Sequence, residues 1–147
     1  MTRAPFQVLV FPYRVEPSTG LEYAVFRRAD LGFWQGISGG GEDAETPLEA
    51  AKREALEEGG IPQQSRYVAL DSTASIPVVD IVGGLLWGDD VLVVPEHCFG
   101  VEADGLEITL SHEHVELRWA PHEAASALLK YDSNKIALWE LDMKLRR

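Results

Sequence analysis

Three glutamates have types and spacing that could do chemistry. Glu54, Glu57 and Glu58 fall within Pro47–Gly59, a segment whose ends carry helix signals. Thr46 suits the N-cap, Pro47 the first helical position, and Glu49 stands where a capping box needs it. Gly59-Gly60 offers a left-handed stop, with Pro62 just beyond. A residue advances about 100° around a helix, so with Leu48 at zero, Ala51 and Ala55 fall at roughly 300° and 340°, a narrow apolar stripe. Glu58 and Glu54 fall at roughly 280° and 240°, and Glu57 at roughly 180°. Three carboxylates thus crowd one side of the helix beside its packing stripe. Glu54 and Glu58 form an i, i+4 like-charge pair, which weakens a helix by a few tenths of a kcal/mol. Arg53 can reach Glu57, but one guanidinium does not neutralise three acids. A divalent cation does: Mg²⁺ takes carboxylate and water oxygens and completes its shell with substrate phosphate. The competing reading is a solvated acidic face. Gly39-Gly40-Gly41, directly upstream, tips the balance, because glycine lets backbone turn sharply and approach a ligand, and a carbonyl there can be a further metal ligand.

These groups need a framework. Residues 6–13 form a short apolar run that reads as a buried strand, 17–20 as a turn and 21–27 as the returning strand of a hairpin. Residues 34–41 are glycine-rich and read as a short strand running into a loop. Segments 66–70, 76–81 and 91–102 have strand composition, with Pro95 marking a bulge or an edge in the last. Residues 115–119 read as another strand, 121–130 and 134–145 as helices, the second capped by Asp132 or Ser133. Strands interspersed with three helices imply an α/β or α+β sandwich.

The chain of 147 residues contains no repeat or linker and reads as one domain over residues 1–147. Its net charge of −11 disfavours a nucleic acid polymer or an anionic membrane as partner, since both reward a basic surface. A protein this acidic that handles phosphate needs divalent cations between the charges. Cys98 is the only cysteine, which points to a reducing compartment. No basic segment followed by an apolar run opens the chain, so a cytoplasmic location is expected. The apolar stretch 76–87 contains Pro77 and Asp80 and is too short for a bilayer.

Read from Gly39, the sequence runs five residues to Glu45, seven more, then Arg53-Glu54-Ala55-Leu56-Glu57-Glu58-Gly59-Gly60-Ile61. This resembles the Nudix box: Gly, five residues, Glu, seven residues, Arg-Glu-aliphatic-any-Glu-Glu-any-Gly-aliphatic. Every specified position matches except Ala55, where a larger aliphatic is usual. Phe33 to Gly39, and the stretch from Glu113-His114 through Arg118-Trp119 to Ser133-Asn134-Lys135, are similar to one branch of that family. The branch contains dihydroneopterin triphosphate pyrophosphatase and proteins labelled dATP pyrophosphohydrolase.

The resemblance implies an α/β/α sandwich with a central mixed sheet, a loop–helix–loop site over residues 39–61, and hydrolysis of phosphoanhydrides with Mg²⁺ or Mn²⁺. It implies Glu54, Glu57 and Glu58 as metal ligands, with the carbonyl of Gly39 or Gly40 as a possible extra one. It implies Arg53 as the residue that orients a catalytic glutamate, and Glu45 as a support of the loop–helix geometry. The general base varies across the family; Glu54 and Glu57 are candidates, and the branch favours Glu113, with Glu116 second. On an alternating strand those last two face opposite ways, so at most one meets the metals.

Trp34, beside glycines, is a candidate for stacking on a base or pterin ring, with a core position the alternative. Arg27 or Arg28 could meet phosphate, one of them only. Asn134 and Lys135 open a helix, where anions bind readily. His112, His114, His97 and Cys98 lack the spacing of a zinc set. The expected function is a metal-dependent pyrophosphohydrolase acting on a nucleoside or pterin triphosphate or a related diphosphate-linked compound. The alternative is a catalytically silent nucleotide-sensing or protein-interaction domain. A small-molecule substrate is the expected partner, with a homodimer the candidate assembly.

Overall fold

The computed structural model describes residues 2–147. In chain order the elements are β1 (Arg3–Glu16), β2 (Gly20–Arg28), β3 (Trp34–Gln35), β4 (Ile37–Glu42), α1 (Pro47–Gly59), β5 (Tyr67–Pro77), α2 (Val78–Val82), β6 (Val93–Glu102), β7 (His114–Ala120), α3 (His122–Leu128) and α4 (Asp132–Leu145). The strands form one mixed sheet in the order β3-β2-β1-β6-β5, with β4 also paired to β1 and β7 to β2. β1 and β6 run parallel, in the register Leu9 to Cys98; the other strand pairs among the described residues are antiparallel.

β1 organises the sheet because it is long enough to serve three neighbours. Its last residues pair with β2 from Tyr13–Tyr23 to Glu16–Gly20. Its first half pairs with β4 on the same edge, and its centre with β6 on the other. Both faces of β1 are covered, which is why its sequence reads as a continuous apolar run. Val8 and Val10 pack with Ala50, Ala51 and Ala55 of α1. Leu9, Phe11 and Tyr13 pack on the opposite face with Leu129, Ala137, Leu138 and Leu141, from the α3 end and α4. One helix on one face and two on the other make the expected α/β/α sandwich. Because three alanines form its buried stripe, α1 lies close to the sheet, while Leu48 and Leu56 stay partly exposed.

Several sequence expectations need correction. The glycine run is not a loop: Gly39 and Gly40 pair with Val8 and Gln7 within β4. Residues 66–70 and 76–81 are not two strands. One strand runs from Tyr67 to Pro77, bends where its register to β6 shifts between Ala69 and Thr73, and gives way to the short helix α2. Val78 N–H, the first in α2, instead donates to the Leu92 carbonyl. Pro95 sits just before Glu96, where β6 begins to pair with β1, so at Pro95 β6 has a strand neighbour on one side only, with Ser75 of β5 in register. The N-cap of α4 is Tyr131, ahead of both expected caps, and it makes no side-chain capping bond. Among the described residues no helix is long and apolar enough to cross a membrane.

Candidate active site

α1 begins and ends as its sequence dictates. The Thr46 hydroxyl accepts from Glu49 N–H at 3.2 Å, and the Glu49 carboxylate accepts from Thr46 N–H at 2.8 Å. Gly60 closes the helix in the left-handed region at φ 67°, which favours glycine. The helix therefore presents Arg53, Glu54, Glu57 and Glu58 at fixed heights above β4.

Arg53 is the hub. Its Nε and Nη2 donate to the two Glu45 oxygens at 2.9 and 3.1 Å. Nη2 also donates to the Gly40 carbonyl at 2.8 Å, and Nη1 to Glu54 at 3.0 Å and Glu57 at 3.4 Å. Glu45 in turn accepts from Glu42 N–H at 2.8 Å. One guanidinium fork thereby fastens strand β4, the 43–46 loop and the acidic side of α1 together. The hydrogen bonds from Arg53 pull the Glu45 carboxyl below its ordinary range, and those to Glu45 and Glu54 push the guanidinium higher still.

The glycines now have a specific reason. Strand alternation turns Gly39 toward α1, and a Cβ there would fall inside the Glu54 carboxyl group. Gly40 faces the other side of the sheet, where a Cβ would lie 3.2 Å from Gln7 Nε2. Gly41 makes room for the Phe6 ring. Burial raises the Glu54 carboxyl to about 7 against the pull of Arg53, with the charges of Glu57 and Glu113 adding to the rise. Glu58 is buried and both its oxygens lack a hydrogen-bond partner. Glu57 is more than half exposed.

On the side of the sheet away from α1 lies a cavity of about 720 Å³. Gly39 and Gly40 form part of its wall, so the glycine strand separates the helix carboxylates from the open space. Glu113 lines the cavity from the loop before β7, and its carbonyl accepts from Ala29 N–H at 2.9 Å. Glu116 points elsewhere, paired with Arg27 at 3.2 Å and Arg118 at 3.1 Å. Arg28, not Arg27, lines the cavity, held by Asp30 at 2.6 Å.

Two residues expected to meet the substrate lie outside the cavity lining. Trp34 does not line the cavity; it packs against the α4-side core, with the Arg118 guanidinium 5.1 Å from its ring. Lys135 is also outside it, whereas its neighbours Ser133 and Asn134 line it. Asn134 is buried and accepts from Gly36 N–H at 3.1 Å through Oδ1. Two residues that the sequence reading passed over, Gln7 and Glu96, are buried in the cavity wall as cross-strand partners. The signal was present: Gln7 shares its phase with Leu9 and Phe11, and Glu96 with Val94 and Cys98, so each is a polar residue on a buried register.

Among the described residues, no three acidic, histidine or cysteine side chains are already gathered as a cage for a metal ion. The donor set nonetheless suits a divalent cation. Its ligands would be hard oxygens, and the enclosed, unpartnered Glu58 carboxylate is the kind of group that a cation satisfies.

A model of the NUDIX domain matches residues 15–139. A solved structure described as a NUDIX hydrolase of Listeria monocytogenes is 41% identical, with 97% of this chain and 95% of that one covered at a TM-score of 0.86. The Escherichia coli dihydroneopterin triphosphate pyrophosphohydrolase shares the fold at 24% identity, covering 98% and 99% of the two chains at a TM-score of 0.77. An Ap4A hydrolase of Caenorhabditis elegans does so at 18% identity, covering 97% and 98% at 0.74. No curated protein matches the sequence. The extent of the domain match and the likeness to the Listeria protein establish that this chain belongs to the Nudix hydrolase family.

Proposed function

We propose that this hydrolase cleaves a phosphoanhydride bond in a nucleoside or pterin triphosphate, or in a related diphosphate-linked compound, with Mg²⁺ or Mn²⁺ as cofactor. The observation that carries the reading is the seating of the Glu54 carboxyl on Gly39, at the wall of the cavity. That contact sets the acidic helix against the back of the strand that walls the space where a polyphosphate fits. The names of the Escherichia coli and Caenorhabditis elegans proteins, both of this fold, support a phosphoanhydride as the bond broken.

Glu54, Glu57, Glu58 and the Gly39 carbonyl would hold the cation, with Glu113 contributing from the cavity side. Such a cation would neutralise polyphosphate charge and acidify water. Arg53 fixes the Glu54 and Glu57 carboxylates by hydrogen bonds, so little reorganisation is needed on binding. Glu113 is the proposed acceptor of the attacking water's proton, because it lines the cavity from outside the helix and its charge acts on Glu54. Arg28 is the proposed phosphate contact. The single-domain reading is supported by the shared use of β1 and β6 in both cores.

A panel of nucleotide, dinucleotide and pterin polyphosphates, assayed with Mg²⁺ and with products identified by mass, tests this reading. Turnover that Glu57→Gln lowers by orders of magnitude supports it. Absence of turnover on every compound, with the protein shown folded, rejects it.

A further inference from the structure

Arg3 opens β1, where a strand end is free to fray, yet the main chain there is tied down twice. Just before it, Thr2 N–H donates to the Asp43 carboxylate at 2.9 Å, and Asp43 N–H donates to the Thr2 carbonyl at 2.6 Å. Asp43 makes both bonds from a left-handed backbone at φ 49°, a conformation uncommon outside glycine. At Arg3 itself, Trp87 from the segment between α2 and β6 donates its indole N–H to the carbonyl at 3.0 Å.

The Arg3 side chain is left uncommitted. It lines the cavity, and among the described residues its guanidinium takes part in no ion pair or hydrogen bond. The other arginine of that lining, Arg28, donates through Nε and Nη2 to both oxygens of Asp30, at 2.8 and 2.6 Å. Arg53, behind the glycine strand, is paired with Glu42, Glu45, Glu54 and Glu57. Asp80, Glu96 and Glu113 also line the cavity, and none of them is ion-paired with Arg3.

A second donor lies beside this guanidinium. A Cβ on Gly40 would be 3.3 Å from Arg3 Nη2 and 3.2 Å from Gln7 Nε2, so both nitrogens border one point on the cavity side of β4. Gln7 lines the cavity too; its amide has no hydrogen-bond partner among the described residues, yet it is not one of the sealed polar atoms. Glycine at position 40 leaves both side chains their room. Two neighbouring N–H groups, one of them charged and neither taken by a protein acceptor, complement an oxyanion.

We propose that Arg3, assisted by Gln7, is a substrate contact that takes an oxyanion of the polyphosphate chain on the face of β4 opposite the acidic helix, and that Trp87 is the positioning residue that holds it there. The inference rests on the reading that this cavity receives a polyphosphate.

The test uses whichever polyphosphate wild type turns over fastest. Arg3→Gln is expected to raise KM about tenfold or more and to leave kcat within about threefold. Arg3→Lys keeps the charge but not the fork, and should raise KM about threefold. Trp87→Phe keeps a ring and deletes the N–H, and should also raise KM about threefold. Added to Arg3→Gln it should raise KM no further, since Trp87 acts through Arg3. Increases that multiply would overturn the role of Trp87. Urea unfolding of Arg3→Gln should match wild type, because the guanidinium has no partner to lose; a markedly lower midpoint would make Arg3 a structural residue and overturn its assignment. Calorimetric binding of inorganic imidotriphosphate, whose P–N–P bridges resist cleavage, in millimolar Mg²⁺ gives a readout without turnover. Arg3→Gln should bind it about tenfold more weakly than wild type. No binding by wild type, or equal affinity in the two proteins, overturns the inference even where triphosphates are hydrolysed. Affinity that falls in Arg3→Gln, with no turnover of any compound, supports it and rejects the hydrolytic reading instead.

Discussion

The carboxyl group of Glu54 occupies the volume that any side chain at position 39 would need, so Gly39 and Glu54 form one unit shared by strand and helix. Gly39→Ala therefore strikes the site. It is expected to lower kcat/KM by about tenfold or more by displacing Glu54, at a stability cost of about 1–3 kcal/mol. Gly41→Ala, two residues on, meets the Phe6 ring instead. It should cost similar stability, about 1–3 kcal/mol, with kcat nearly unchanged. Steady-state kinetics beside urea unfolding separate the two, and equal kinetic damage from both would contradict the assignment.

Arg53 makes its contacts as a planar fork, and a lysine reproduces at most one of them. Arg53→Lys is expected to lower the unfolding free energy by about 2–3 kcal/mol and kcat/KM by about tenfold or more. The loss should appear mainly in kcat, because Arg53 positions carboxylates and does not line the cavity. A loss confined to KM would instead make Arg53 a substrate contact.

Glu58 has opposite consequences with and without metal. Its carboxylate is enclosed and unpartnered, so Glu58→Gln should raise the stability of the metal-free protein by about 1–3 kcal/mol. The same change should abolish turnover and most of the rise in Tm that millimolar Mg²⁺ gives wild type. Chelation of wild type should remove both activity and that rise. A calorimetric scan with and without Mg²⁺ checks the pair of signs; a variant destabilised in the absence of metal would contradict this account.

Acid stability should depend on a contact far from the site. Burial alone would raise the Glu140 carboxyl, but hydrogen bonds from the Ser72 hydroxyl, the Asp71 and Ser72 N–H groups and Lys144 hold it down at about 2. The folded pKa lies below the ordinary 4.5, so the stabilisation is full above that value and is lost as pH falls toward 2. Its size is about 2 kcal/mol after allowance for partial exposure. Urea unfolding of Glu140→Gln at pH 6 and pH 3 should show a smaller acid loss than wild type. Parallel losses in the two proteins would remove Glu140 from the explanation.

Local chemistry made a good deal legible in advance. The limits of α1 follow from Thr46, Pro47, Glu49 and Gly60, because caps and φ preferences act within a few residues. The placement of three carboxylates beside an alanine stripe follows from helical period alone. The spacing from Gly39 to Ile61 carried the family, since each specified position serves the same short segment. Where the chain had to pair at long range, the sequence was mute. The partners of β1 turned Gly39-Gly40-Gly41 into a strand, and the β5–β6 register joined two apparent strands into one. Trp34 was drawn against the core by the β2–β3 pairing and Arg28 into the cavity by the β2–β7 pairing, because each fixes which face its side chain takes. Glu96 and Gln7 lie far apart in the chain, and only the parallel β1–β6 register sets them side by side. Side-chain types and local spacing determined the acidic helix; the facing of one strand against another, a contact between distant residues, decided what shares its cavity.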